Sequence, residues 1–598
     1  MRVADYIAEY IFKEGVRHVF MVSGGGMMFL SDGIAMHPQL EAVCTHHEQA
    51  AAMAAVSYAR YREEIGVCYV TTGCGGTNAL TGLLNGWQDN IPCLFISGQS
   101  KRKETVRNSG LALRQFGVQE ADIIAIVQSI TKYAVMVNNP ELIAYHLDKA
   151  TFLARNGRPG PVWLDIPLDV QGAQIDPERL LRFSPEEQLK GCCGFPTEAE
   201  ITATHGLLNA AQRPIIIAGQ GIRLGKAIPE FRAFVEKYQI PFVTPKLGID
   251  LLPTAHPLFI GRIGNKGDRA GNMAVQNSDM VLSIGCRLSV NSTGHEYNLF
   301  AREAKIAVVD IDPVEHKKNT IRIDCFIHAD AKKFLSMVNK LSPLSQRSAW
   351  LKKCEEWREK YPVCLPEYAK CTEGINLYHF VDCLSKALRG PSIIVSDAGS
   401  AGYVITQAMA FKEEQRSICS GGQMEMGYTL PAAIGVCYAR NNEDVIGITG
   451  DGSFQMNIQE LQTVVHHSLP VKLFVWNNDG YLSIRATQRK FFEGRFIGTD
   501  ESSGVSFPSV QRIAGAYGIK YFRLDQSQNL TERIKEILNF PNAVLCEVMC
   551  IRDQEIIPGV ASVRKEDGSM MSKPLEDMYP FLDREEFRKQ MIVKPIPE

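Results

Sequence analysis

The chain reads as an α/β protein built from three doubly wound parallel-sheet domains, and three observations carry that reading. Residues 1 to about 180 alternate helical and strand patterns without hairpin signals, and the alternation resumes at Pro214 and again at about Leu377. Apolar runs such as Asp444 to Thr449 (DVIGIT) and Val471 to Trp476 (VKLFVW) are short, β-branched and continuous, the composition of strands buried on both faces. At 598 residues the chain exceeds what one core fills, so three domains of ordinary size are expected.

Composition narrows the function classes. With 45% hydrophobic and 22% charged residues and a net charge of −2, there is no basic surplus for nucleic acid. The opening MRVADYIAEYIFKEG scatters charge through an amphipathic helix, and no segment approaches ~18 uninterrupted apolar residues, so neither a secretion signal nor a membrane span is expected and the chain is assigned to the cytoplasm. The 16 cysteines are dispersed, and the adjacent pair Cys192 and Cys193 lacks metal-site spacing; reduced core thiols are expected.

The first domain is expected over 1–175. Val3 to Lys13 is an amphipathic helix, His18 to Val22 a strand, Ser23 to Gly26 a tight turn, and Leu40 to Thr45 a strand. His46-His47-Glu48-Gln49 then opens an alanine-rich helix through Arg60. A carboxylate in a first helical turn has an ordinary explanation in the helix dipole, and the two histidines one as polar starters. Gly66 to Val70 is a strand followed by the glycine-rich turn TTGCGGTN at 71–78, and Ile91 to Ser97 is another. The loop Arg114 to Glu120 precedes GRPGP and VWLDIPLDVQ, which close the domain.

Residues 172–196 lose the alternation and read as linker. A second α/β domain is expected over 197–342, with strands at Pro214 to Ala218, Met280 to Ile284 and Lys305 to Asp310; its glycine turn at 219–221 is weak evidence for a dinucleotide. After a charged linker, a third domain is expected over 377–555, with a tail over 556–598. Its centre is Gly450 to Tyr481: a strand delivers Gly450-Asp451-Gly452 to its carboxyl end, Met456 to His467 has helical spacing, and a second strand ends in Asn477-Asn478. Parallel sheets bind ligands at such strand ends. Asp451 and Asn478 are hard oxygen ligands of the kind magnesium shares with a phosphate, and Gly450 and Gly452 let backbone approach that phosphate. A plain β-turn explains GDG alone equally well; the Asn-Asn pair after a second strand makes the pattern specific.

This GDG…NN pair is similar to the thiamine diphosphate motif, and its surroundings resemble the acetolactate synthase-like branch of thiamine-dependent decarboxylases and carboligases. Ser420 to Gly435 (SGGQMEMGYTLPAAIG) is similar to that branch's SGGLGTMGFGLPAAIG, the 71–78 turn to its TSGPGATN with Cys74 in place of proline, and Gln119 to Asp122 to its FQEADI segment. The resemblance implies thiamine diphosphate and Mg²⁺, with metal ligands Asp451, Asn478 and the carbonyl of Gly480. It implies that Glu48 bonds the aminopyrimidine N1′ and so promotes loss of the thiazolium C2 proton, that Met426 bends the cofactor, and that the Met424 carbonyl accepts its amino group. Gly73, Asn78, Ser400, Gln423, Ser453 and Tyr481 are implied cofactor neighbours, and Gln119 a catalytic residue near the substrate. The domains become pyrimidine-binding, central and diphosphate-binding, with the tail covering the site. Gly285, Arg287, Asp310 and Asp312 match segments that hold FAD in acetolactate synthases; other branches hold ADP there or nothing. A site shared between subunits implies a homodimer or homotetramer.

The expected reaction is decarboxylation of a 2-ketoacid, pyruvate by resemblance, with ligation of the resulting two-carbon unit to a carbonyl acceptor. Counting from Asn478, Ser483 and Thr487 stand where acetohydroxyacid synthases carry a methionine and a tryptophan against the acceptor. That opened wall suits a larger polar acceptor such as a nucleotide-linked keto-sugar. Arg485 is either a clamp for that acceptor's anionic group or a solvated helix face. Phe491 to Phe507 reads as a loop over the site. Acetolactate synthase proper, a C–C lyase or hydrolase using the same cofactor, a flavin-linked oxidase, and a scaffold without chemistry are the alternatives.

Overall fold

The computed structural model describes residues 1–186, 194–564 and 569–596, apart from the side chains of 563 and 564; Cys192 and Cys193 lie outside the described residues. The fourteen described cysteines are free thiols.

Three six-stranded sheets follow one another along the chain, and every strand pair within them is parallel. The first contains β1 (His18–Met21), β2 (Glu41–Cys44), β3 (Gly66–Val70), β4 (Cys93–Gln99), β5 (Tyr133–Met136) and β6 (Val162–Pro167), in the order β2-β1-β3-β4-β6-β5. The second contains β7 (Pro214–Ala218), β8 (Phe242–Thr244), β9 (Phe259–Arg262), β10 (Met280–Ile284), β11 (Lys305–Asp310) and β12 (Cys325–His328), ordered β12-β11-β10-β7-β8-β9. The third contains β13 (Ile393–Ser396), β14 (Arg416–Cys419), β15 (Val445–Gly450), β16 (Val471–Asn477), β17 (Lys520–Leu524) and β18 (Val544–Met549), ordered β14-β13-β15-β16-β18-β17. The first and third sheets therefore share one winding order, while the second winds as dinucleotide-binding sheets do. Strands such as β3, β4, β6 and β10 are buried along their whole length, which is why they lack the alternation of half-exposed strands.

Five helices position the candidate site: α1 (Glu48–Arg62), α2 (Leu80–Gln88), α3 (Gly399–Ala408), α4 (Thr429–Ala439) and α5 (Leu482–Phe491). Helix α1 is alanine-rich because it packs against α4; Ala51, Ala52, Ala54, Ala55, Ala432 and Ala433 are all buried in one core shared by the N- and C-terminal domains. Polar ties also join the two domains: Ser57 Oγ donates to the Ala432 carbonyl at 3.0 Å, and the His46 N–H to Glu460 Oε1 at 3.0 Å.

The helix expected over Met456 to His467 is interrupted. A helical turn Asp451–Phe454 leads into a 3₁₀ segment Gln455–Glu460, with Asn457 at φ −133°, before helix resumes at Leu461–His466. The Asn457 side chain donates to the Gly427 carbonyl at 2.9 Å and to Gln49 Oε1 at 3.1 Å, contacts that outweigh the apolar periodicity. The tail from about 556 contacts the central domain, the segment after it and the C-terminal domain: Gln276 Nε2 donates to Glu576 Oε2 at 2.6 Å, Arg302 pairs with Glu576 at 2.7 Å, Trp357 Nε1 donates to Gln590 Oε1 at 3.0 Å, and Gln407 Nε2 donates to the Pro558 carbonyl at 2.7 Å.

Candidate active site

Two groups of strand ends gather the candidate residues. In the N-terminal domain β2 delivers the chain to the start of α1, where His47 caps the helix by accepting from the Gln49 N–H at 3.0 Å. Glu48 is thereby directed inward and is 8% exposed. Asn78, from the turn after β3, donates to Glu48 Oε2 at 2.9 Å. The same turn carries Gly73 at φ +67°, and a Cβ there would stand 1.9 Å from the Gln119 carbonyl oxygen, so the two backbones touch. Glu48, Asn78, Gly73 and Gln119 thus share one end of the first sheet, with the Gln119 side chain exposed.

In the C-terminal domain β15 places Asp451 at the start of a helical turn and β16 places Asn478 beside it, since Gly450 pairs with Trp476. Asp451 Oδ1 accepts from the Gly452 N–H at 2.7 Å, and Oδ2 accepts from the N–H groups of Gly480 at 3.0 Å and Asn478 at 3.2 Å. Burial pushes its carboxyl up to about 6, against the pull of these three donors. Asn478 Oδ1 is buried with no hydrogen-bond partner. An unpaired buried oxygen beside a carboxylate and a glycine turn would suit a hard cation. Among the described residues no group of three His, Cys, Asp or Glu side chains gathers at a point, so a cation here would draw its other ligands from backbone and phosphate.

Around this pair, the Tyr481 ring closes over Gly452, where a Cβ would meet Tyr481 Cε1 at 2.2 Å. Ser453 Oγ donates to Asp397 Oδ2 at 2.5 Å and accepts from the Gly427 N–H at 2.8 Å, linking the diphosphate-type turn to the segment holding Met424 and Met426. Asp397 itself, directly after β13, is 1% exposed and pushed up to about 6 by burial; it was not among the candidate site residues of the sequence. Ser400 is buried in the first turn of α3, and Gln423 Oε1 is buried without a partner.

Residues 1–126 match the family described as thiamine pyrophosphate enzyme, N-terminal TPP binding domain; 201–338 match its central domain and 397–548 its C-terminal TPP binding domain. The chain belongs to the thiamine diphosphate-dependent enzymes of the acetolactate synthase-like branch. It is similar to the acetolactate synthase large subunit of Lactococcus lactis subsp. lactis (strain IL1403), 32% identical over 560 residues covering 93% of each chain. It is likewise similar to the acetolactate synthase isozyme 3 large subunit of Escherichia coli (strain K12), 31% identical over 546 residues, covering 90% of this chain and 92% of that one. The probable large subunit of Methanocaldococcus jannaschii is 32% identical over 573 residues, covering 94% and 93%. This acetolactate synthase-like enzyme is a thiamine diphosphate-dependent carboligase or decarboxylase acting on small molecules. No helix among its described residues is long and apolar enough to cross a membrane.

The expected acceptor face is divided. Ser483 points toward the first turn of α3, where a Cβ on Gly399 would lie 3.6 Å from its Oγ, and Thr487 is exposed one turn further along α5. Arg485 corrects the sequence reading on both counts, being neither an acceptor clamp nor a solvated face. It is 1% exposed, and its guanidinium donates to the carbonyls of Asn478 (2.8 Å), Asp479 (2.7 Å) and Arg552 (2.5 Å) and to Asp553 Oδ1 (3.0 Å). It braces the Asn478-Asp479 turn, and every nitrogen is used.

A cavity of about 540 Å³ opens at the ends of β7, β10 and β11 in the central domain and reaches Lys246 and Gly421. Gly285, Arg287 and Asp310 line it; Asp312 lies behind, accepting from Arg158 at 2.8 Å. Among the described residues no carboxylate is within ion-pair distance of Arg287, Lys246 or Lys333, all on the cavity wall, and burial pulls the Lys246 ammonium below its usual range.

Proposed function

We propose that this enzyme decarboxylates a 2-ketoacid, pyruvate in the first instance, and joins the resulting two-carbon unit to a polar carbonyl acceptor larger than a second ketoacid. The observation that carries the cofactor half is the unpaired Asn478 Oδ1 beside Asp451. Asp451, Asn478 and the Gly480 carbonyl would hold Mg²⁺, and Gly450, Gly452, Ser453 and Ser400 would border the cofactor's diphosphate. Glu48, buried and pinned by Asn78, would exchange a proton with the aminopyrimidine N1′; the Met424 carbonyl would accept from the amino group, with Met426, Gln423, Gly73 and Tyr481 around the cofactor. When bound, thiamine diphosphate supplies the electron sink that makes loss of carbon dioxide possible. Gln119 would face the substrate. Since the first and third domains share a winding order and each presents one half of these groups, a site shared between two subunits of a homodimer, or of a homotetramer, accounts for both halves.

Ser483 and the exposed Thr487 support the larger acceptor, a nucleotide-linked keto-sugar being one of suitable size and polarity. The three unpaired cations of the central cavity suit a diphosphate-bearing nucleotide, FAD or ADP, held for structure. Acetolactate synthesis is the second reading, favoured by the names of the relatives. Incubation with thiamine diphosphate, Mg²⁺ and pyruvate, followed by mass analysis with and without keto-sugars, separates the two. Two-carbon addition only to the larger acceptor supports the first; acetolactate from pyruvate alone selects the second; no carbon dioxide removes both.

A further inference from the structure

The segment bearing Met424 is gripped from the N-terminal domain at two points. Asp89, just past α2, is 1% exposed, and its carboxylate accepts from the N–H groups of Gly421 at 2.7 Å and Gly422 at 2.8 Å. Arg60 Nη2, from α1, donates to the same carboxylate at 2.5 Å. There is no slack at this contact, because a Cβ on Gly422 would stand 2.9 Å from Gln88 Cβ and 3.2 Å from Asp89 Oδ1. One turn back on α2, Asn85 Nδ2 donates to Ser420 Oγ at 2.7 Å, and that hydroxyl accepts from the Met424 N–H at 3.0 Å.

Met424 has φ +52°, the left-handed region, where the similar family stretch carries glycine. Such a conformation is strained for a residue with a Cβ and persists only where neighbours over-determine it. Asp89 and Ser420 are those neighbours. An ion pair with Arg60 alone would not explain a carboxylate so deeply buried, since apolar residues replace buried pairs at little loss. Two backbone donors, one to each carboxylate oxygen, do explain it, because only an acceptor in that place satisfies them.

We propose that Asp89 is a positioning residue that sets the 421–424 backbone and so aims the Met424 carbonyl at the cofactor's amino group, an inference that rests on the cofactor placement argued above. The first test needs no cofactor. In the cofactor-free protein, hydrogen exchange across 420–427 should be about tenfold or more faster in Asp89→Asn than in the parent, with exchange in β15 and β16 unchanged. In the loaded enzyme kcat for carbon dioxide release should fall by about 10–100-fold with KM for pyruvate within about twofold, the scale of loss from small misplacement. A folded Asp89→Asn enzyme with parental exchange or parental kcat overturns the proposal, as does a defect confined to KM. If that variant does not fold, Ser420→Ala decides: it frees the Met424 N–H and should give the same kcat-only defect in smaller degree, while parental exchange and kcat overturn the idea. A parent protein that binds thiamine diphosphate but releases no carbon dioxide removes the ketoacid reading instead. Exchange and the near-ultraviolet dichroism of the bound cofactor then decide Asp89.

Discussion

Asn78 Nδ2 donates to Glu48 Oε2 at 2.9 Å, so the buried carboxylate at the start of α1 is oriented by an amide from the turn after β3, two strands across the sheet. Glu48→Gln should keep thiamine diphosphate binding and lower turnover by about 10²–10⁴, the range for removal of a general acid or base. Asn78→Ala leaves the carboxylate in place but unoriented and should cost about tenfold. Cofactor titration by fluorescence and carbon dioxide release check both; near-normal turnover of Glu48→Gln removes the central assignment.

The metal prediction follows from Asn478. Asn478→Ala should raise the Mg²⁺ concentration for half-maximal activity at least about tenfold, whereas substitution of Asn477, whose side chain donates to Glu547 at 2.7 Å, should not. Chelation should abolish parental turnover and added Mg²⁺ restore it.

Arg485→Met should act on stability rather than on acceptor choice. It strands three carbonyls that now share one guanidinium and leaves Asp553 paired only with Arg489, for a loss of about 2–4 kcal/mol in denaturant unfolding. A variant with parental stability and a selectively raised acceptor KM would return this arginine to the substrate.

Rebuilding the wall on α5 tests the acceptor reading. The double variant Ser483→Met, Thr487→Trp should reduce kcat/KM for a keto-sugar by about 10² or more, with pyruvate decarboxylation within about threefold of the parent. Equal loss in both reactions would mean that this face borders the ketoacid.

The three-sheet architecture was legible because buried parallel strands announce themselves as short β-branched runs, and the strand ends bearing Asp451 and Asn478 because turn and strand chemistry coincide there. What escaped was set by contacts distant in sequence. The break at Asn457 depends on a carbonyl 30 residues away, and the burial of Arg485 on which face of α5 meets 552–553, neither of which helical spacing encodes. Asp89 and Gly421 are separated by 332 positions, and nothing local to either announces the other.

Asp165, in the first sheet and away from Asp451, makes stability depend on pH. Burial pushes its carboxyl up to about 7, against hydrogen bonds from Ser97 at 2.6 Å and Gln99 at 3.0 Å. The unfolded chain ionises this group near 3.9 and the folded chain only near 7, so its contribution is fully present below the lower value and is lost as pH rises through the upper one. Asp165→Asn should therefore gain stability relative to the parent on going from about pH 4 to pH 8 in thermal unfolding. A constant difference would exclude a raised carboxyl.

The seam between α1 and α4 leaves almost nothing between two backbones: a Cβ on Gly435 would stand 2.1 Å from the Ala54 carbonyl oxygen. Helices this close are joined by packing and not by the chain that runs between them. A molecule nicked by protease within 343–376 should therefore stay whole in solution, its fragments parting only in denaturant, and the first and third domains could be supplied as separate polypeptides that find each other.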